Sequence, residues 1–406
     1  MTVSFLRDRW TIGIFAAVAL LGAQLQLRGT LLRQFERTFA VTPSELGLLS
    51  TVASLTFFIT VAATSAIVGR SDARRLLLTG VLSGIGSFLV VAVAPSYLVL
   101  VLGMGALGVT SGILQGSCRP VMSHIHADRR EQAFNFQDMI WAVGAALGPI
   151  IAVTAIVTTT WRLAYVALAA VAIIPLALFW RLELPAAVES EQSVTWSAIE
   201  AYRTAAPFTT LIGAFLALSF VESGLFTWLP YLFAEVLPGP IADLSLTVLL
   251  AAYIPGRYAF GIAGGRIRPL NLLAGSALLT VPLLFVALLG SSNLLRLIAT
   301  FAIGFLVSGM FPTLLAWSIG YAPAYSAPVN AMAMGTASLG FLIFPAAIGV
   351  VIDHAGTTTA MNVIVAIAGI LALLLLDARF RRGISDNFEQ TARESSTPTE
   401  RQPSDN

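Results

Sequence analysis

Twelve times between residues 10 and 377 the chain runs through a stretch of roughly 20 almost wholly apolar residues, the length a helix needs to cross the hydrocarbon core of a bilayer. Lipid offers the backbone no hydrogen bonds, so the transmembrane α-helix is the structure such stretches adopt. The segments fall at 10–32, 44–69, 76–95, 98–121, 134–157, 161–181, 207–233, 244–264, 270–289, 293–315, 329–352 and 357–377. Composition agrees: 57% of residues are hydrophobic and 11% charged, where a soluble domain carries about 25% charged. The chain reads as an all-α membrane protein. Arg7 and Arg9 precede the first apolar run as they would in a secretory leader. The pattern resumes so often downstream that a first span, not a cleaved peptide, is expected there.

Two connections are long, and both are polar. They divide the chain into an N-terminal six-helix half (1–181), a cytoplasmic linker (182–206), a C-terminal six-helix half (207–378) and a tail (379–406). The tail is rich in Ser, Thr, Pro and Glu and is expected to be disordered. All 23 basic residues are arginine, and their placement orients the chain. With the N-terminus inside, 16 arginines fall on the cytoplasmic side; only Arg33, Arg37, Arg162 and Arg296 fall on the other. Under the positive-inside rule both termini are cytoplasmic, as in a multi-pass protein of the cell membrane. "TPSE" at 42–45 reads as a capping box, with Thr42 as cap, Pro43 in the first turn and Glu45 reaching back.

Three arginines remain inside the apolar segments: Arg28, Arg119 and Arg257. A central arginine costs at least about 2.5–3.5 kcal/mol to insert, so it is expected to face a partner or a wet cavity. Gln24 and Arg28 stand four apart, as do Gln115 and Arg119, and residues at that spacing share one helix face. Facing each other, the two pairs would form a donor-rich pocket for a carboxylate or phosphate, which guanidinium binds bidentately. Each arginine also fits a plainer role, Arg28 as an anchor near the outer interface and Arg119 as one near the inner. Glu222 has too short a stem to reach water from within a span. It fits a proton-coupling group, a substrate acceptor, or a structural partner of Arg257. Trp228 and Tyr231 offer a stacking surface or an interfacial aromatic belt. Arg257 reads as structural, with Gly256, Gly261, Gly264 and Gly265 allowing close helix approach.

Several function classes drop out. A net charge of +2 is too small to imply nucleic acid. One cysteine, Cys118, and three histidines without ligand spacing leave no metal site. Walker A, HExxH and GxSxG patterns are absent, so neither an enzyme nor a cofactor is expected.

Twelve spans as six plus six, with both ends inside and a long central loop, resemble the major facilitator superfamily over residues 10–380. "WRLAY" at 161–165 resembles the start of its sixth helix, and "GAALGPI" (Gly144, Gly148, Pro149) the first half of its fifth-helix antiporter motif. "GRSDARRLLL" at 69–78 is similar, in degenerate form, to the signature between its second and third helices; Met104 stands where its fourth-helix arginine would be. Within the superfamily, "VESGLFTWLPYLF", "GRYAFG", "SGMFPTLLAWS" and "GILQGSCRPV" resemble the seventh, eighth, tenth and fourth helices of the fucose–glucose–hexose proton symporter-like group. There the coupling glutamate's position is Gln115 and an asparagine's is Arg119, and the acid of the first helix falls at Gly29 or Arg28.

The resemblance implies a secondary transporter working by alternating access, with a site near the bilayer midplane. Its expected lining is Gln24, Arg28, Gln115, Arg119, Glu222, Trp228 and Tyr231. The expected substrate is a small polar, anionic solute. Arginine does not give up its proton, which leaves Glu222 as the candidate for proton coupling. The expected partners are that small molecule, the lipid bilayer and a coupling proton, with the chain acting as a monomer. A drug or metabolite exporter of the same superfamily, and a receptor or sensor that has lost transport, are the competing expectations.

Overall fold

A computed structural model describes residues 8–68, 72–126, 130–181, 207–264, 266–321 and 326–396. The linker expected at 182–206 and the end of the tail, 397–406, lie outside the described residues. The N-terminal half is α1 (Arg9–Phe39), α2 (Pro43–Ile67), α3 (Ala73–Ala92), α4 (Tyr97–Ile125), α5 (Arg130–Thr158) and α6 (Arg162–Arg181). The C-terminal half begins with α7 (Phe208–Phe233), α8 (Gly239–Gly264), α9 (Pro269–Leu289) and α10 (Asn293–Gly320). A last apolar stretch, Val329–Arg381, is 53 residues long, more than one crossing can use. It is broken at Gly356, whose φ of 81° and ψ of 167° lie in a region open to glycine almost alone. The break separates α11 (329–355) from α12 (357–381). The helix continues to Ser396, into the segment expected to start a disordered tail.

Local chemistry sets the helix ends. The capping box at Thr42 is formed: the backbone N–H of Thr42 donates to Glu45 Oε2 at 2.8 Å and that of Glu45 to Thr42 Oγ1 at 3.4 Å. At the starts of α1, α3 and α10 the side chains of Asp8, Asp72 and Ser292 accept from first-turn backbone N–H groups. "WRLAY" is a clamp between helix ends. Arg162 donates to the Ala94 carbonyl at 2.8 Å beyond α3, and its guanidinium lies 4.4 Å over the Trp161 ring. Trp161 in turn donates to Thr38 Oγ1 on α1 at 3.0 Å.

Helix α1 is the most enclosed of the spans and runs through the middle of the bundle. It packs on α5 through small residues: a Cβ on Gly144 would collide with the Ala19 carbonyl, and one on Gly148 with that of Ala23. Gly256 allows the same approach of α8 to α10, against Phe305 and Ser308. Gly261 and Gly264, expected to do likewise, have nothing within 4 Å, and Gly265 lies outside the described residues.

The halves meet along three seams, α1 with α7, α2 with α11 and α5 with α8. Numbered within its own half, each of the last two seams joins a second helix to a fifth. The interface therefore maps onto itself when the halves are exchanged, as two pseudo-equivalent bundles require. Its hydrogen bonds run from the Thr42 end of α2 to mid-depth. The Ser44 N–H donates to Asp353 Oδ2 at 2.9 Å, Thr51 Oγ1 to the Leu342 carbonyl at 2.7 Å, and Ser54 Oγ to the Phe341 carbonyl at 3.2 Å. On the opposite side Thr247 Oγ1 donates to the Ala146 carbonyl at 3.4 Å.

Candidate functional site

Below that seam, between the halves, lies a cavity of about 320 Å³. Helices α1, α2, α4 and α5 of one half and α7, α10 and α11 of the other contribute to its wall. Four residues expected from the sequence line it together: Gln24 and Arg28 from α1, Gln115 from α4 and Glu222 from α7.

Arg28 is only 8% exposed, and what it faces is the cavity. Among the described residues no hydrogen bond and no ion pair engages its guanidinium. One turn earlier, Gln24 donates from Nε2 to Ser111 Oγ of α4 at 2.8 Å, holding α1 and α4 together across the wall. Gln115 makes no hydrogen bond among the described residues. Among the described residues the wall therefore carries a guanidinium that no hydrogen bond or ion pair engages and an amide that makes no hydrogen bond.

Glu222 is differently placed. The Tyr253 hydroxyl of α8 donates to its Oε1 at 3.1 Å, and Arg257, one turn further along α8, acts on it electrostatically. Arg257 itself has a buried Nε without a hydrogen-bond partner. Helix α8 is interrupted at Ala252, immediately before Tyr253, and α10 at Gly309, two residues before Phe311 of the cavity wall.

Three expected residues lie outside the cavity wall. Arg119 ion-pairs with Asp138 of α5 at 2.9 Å, its guanidinium lies 5.8 Å from the Phe134 ring, and both charged side chains are more than 40% exposed. One helical turn beyond Gln115, the cavity-facing side of α4 has already given way to the α4–α5 surface. Trp228 is fully buried and donates from Nε1 to the Pro345 carbonyl of α11 at 3.0 Å. Tyr231 stacks edge-on against it, ring centroids 5.3 Å apart, and donates to Glu36 Oε1 at 2.9 Å. These two aromatics brace α7 rather than face the cavity. Tyr253 escaped the sequence reading, although its four-residue spacing from Arg257 was visible. So did the apolar wall, whose residues resemble those of any span.

The profile of the Major Facilitator Superfamily matches residues 8–327. The chain belongs to this superfamily. It is accordingly a multi-pass membrane transporter, not an enzyme, with the two-bundle fold of its family. No curated protein sequence matches it. Among solved structures it is similar to a bacterial homologue of the human lysosomal transporter Spinster in an inward-facing, unoccupied conformation. That likeness has 14% identity and a TM-score of 0.78, and covers 92% of this chain and 96% of that one. The occupied form of the same homologue gives 14% identity and a TM-score of 0.77, over 91% and 96% of the two chains. A D-xylose–proton symporter gives 14% identity and a TM-score of 0.70, over 92% and 97%.

Proposed function

We propose that this transporter carries a small organic anion across the cell membrane by alternating access, with Arg28 as the anion-binding group and Glu222 as the proton-coupling group. The observation that carries this reading is Arg28: a buried guanidinium on the cavity wall that no hydrogen bond or ion pair engages among the described residues. A bare charge at mid-membrane is costly. An anionic solute would supply a counter-charge and accept from two guanidinium N–H groups at once. Gln115 adds donors on the facing helix.

Within the superfamily we place the chain with the fucose–glucose–hexose symporter-like pattern, but not with sugar transport. The positions that hold carboxylates in that group are here Gln115 and Gly29 or its neighbour Arg28. The remaining carboxylate, Glu222, is held by a single hydroxyl donor and is open to the cavity, which suits a group that takes up and releases a proton during the cycle. The arginine distribution supports cytoplasmic termini, which sets the seam at the Thr42 end on the outer side of the cavity. One chain builds the whole cavity, so a monomer suffices.

The test is thermal unfolding of the purified full-length protein with organic acids and with neutral sugars, in wild type, Arg28→Gln and Arg119→Gln. A ligand that binds the folded state raises its apparent stability by mass action. Stabilisation by acids in wild type and Arg119→Gln, lost in Arg28→Gln, is expected. Equal stabilisation by neutral sugars in all three would overturn the anion reading. Binding without counterflow in proteoliposomes would make the protein a receptor.

A further inference from the structure

We infer that the substrate is a compact amphipathic monoanion: one carboxylate on an aromatic or branched aliphatic body, not a polyhydroxylated acid. This rests on the anion reading above and narrows it. Around Arg28 the wall is apolar and rich in aromatic rings and thioethers, from Phe57, Met104, Trp141, Phe311, Met334 and Phe341. Such a surface binds a hydrocarbon body by burial and adaptable packing.

The serine hydroxyls of the wall already donate elsewhere. The Ser54 hydroxyl donates across the seam to the Phe341 carbonyl at 3.2 Å, Ser111 to the Leu107 carbonyl at 2.8 Å, and Ser338 to the Met334 carbonyl at 2.8 Å. The Gln24 amide group is directed to Ser111. What remains for a ligand is the Arg28 guanidinium, the Gln115 amide, the Trp141 indole N–H, the Gln24 oxygen and the part of Glu222 not taken by Tyr253. A sugar acid brings a hydroxyl on nearly every carbon and would bury several without partners, each at a cost comparable to a lost hydrogen bond.

Charge and size narrow the class further. Arg28 is the single cation among the described residues of the wall, and the other charged side chain there, Glu222, is an acid, so a second negative charge on the ligand would meet no partner. For an ammonium group the wall offers only the free part of the Glu222 carboxylate, which lies in the field of Arg257. The volume, about 320 Å³, is at the small end of the range of about 300–1,000 Å³ for ligand sites. A one-ring acid fits inside it.

The experiment compares five probes on the wild-type full-length protein by thermal unfolding: phenylacetate, phenylacetamide, gluconate, glucose and phenylalanine. Phenylacetate is expected to stabilise half-maximally at a concentration about tenfold or more below gluconate, the worth of one unsatisfied buried hydroxyl. Gluconate matching or surpassing phenylacetate, with both lost in Arg28→Gln, overturns this inference and leaves the anion reading standing. Phenylalanine surpassing phenylacetate makes the ligand a zwitterion and also overturns it. Phenylacetamide matching phenylacetate, or no stabilisation by either acid at millimolar concentration, overturns both readings. The wild-type series stands even if a variant fails to fold.

Discussion

The hydroxyl of Tyr231 donates to the Glu36 carboxylate 2.9 Å away, joining the end of α7 in one half to the end of α1 in the other. A bond across the seam exists only while that end is closed, so it acts on the balance between conformations more than on folding. A net hydrogen bond of this kind is worth about 1 kcal/mol. In Tyr231→Phe the open population at this end should rise about fivefold. Spin labels on cysteines placed at 41 and 240 report the distance, and buried Cys118 does not compete for label. An unchanged distance distribution would show that other contacts hold the seam.

Two glycines separate folding from gating. A Cβ on Gly148 would strike the Ala23 carbonyl within one half, whereas a Cβ on Gly29 would strike the Phe226 carbonyl of the other half. Gly148→Ala is expected to lower stability by about 1–3 kcal/mol, as overpacking does, and thermal unfolding measures it. Gly29→Ala should leave each bundle intact and widen the label distance across the seam. If both variants simply melt earlier, with no change in distance, the seam is not a moving interface.

Arg119 and Asp138 form an ion pair between partly exposed side chains, 44% and 41% accessible. Such pairs contribute about 0–1 kcal/mol. Arg119→Gln should therefore unfold close to wild type and keep the stabilisation given by acids. Loss of that stabilisation would return Arg119 to the binding site.

Glu222→Gln keeps the size of the side chain and an oxygen that can still accept from Tyr253, and removes the ionisable group. Transport by this variant in proteoliposomes is expected to lose its dependence on a pH gradient while substrate counterflow persists. A variant that still follows the pH gradient would place proton coupling elsewhere.

Much of the architecture was legible in the sequence because it follows from local physics. A span is an apolar stretch of a given length whose helix satisfies its own backbone, so each segment could be read without the others. The Thr42 cap was legible for the same reason, whereas the clamp at Trp161 and Arg162 joins residues far apart in the chain and was not. Gln24 and Arg28 stood out because polar side chains are costly in lipid. Their presence left a choice between a wet cavity and an interfacial anchor.

Which polar residues share that cavity was a different matter. Gln24 with Arg28 and Gln115 with Arg119 have the same spacing, yet three of the four face the cavity and Arg119 pairs with Asp138 at the surface. Trp228 and Tyr231 carry the chemistry of a stacking platform and serve as braces, because a carbonyl of α11 and a carboxylate of α1 lie within their reach. The apolar wall gave little signal: Phe57 and Phe341 look in sequence like residues that face lipid. Length and hydropathy fix each helix alone, because a helix closes its hydrogen bonds within itself. Only the packing of twelve of them determines which side of each meets lipid, a neighbour or the cavity, since that depends on contacts between residues far apart in the chain.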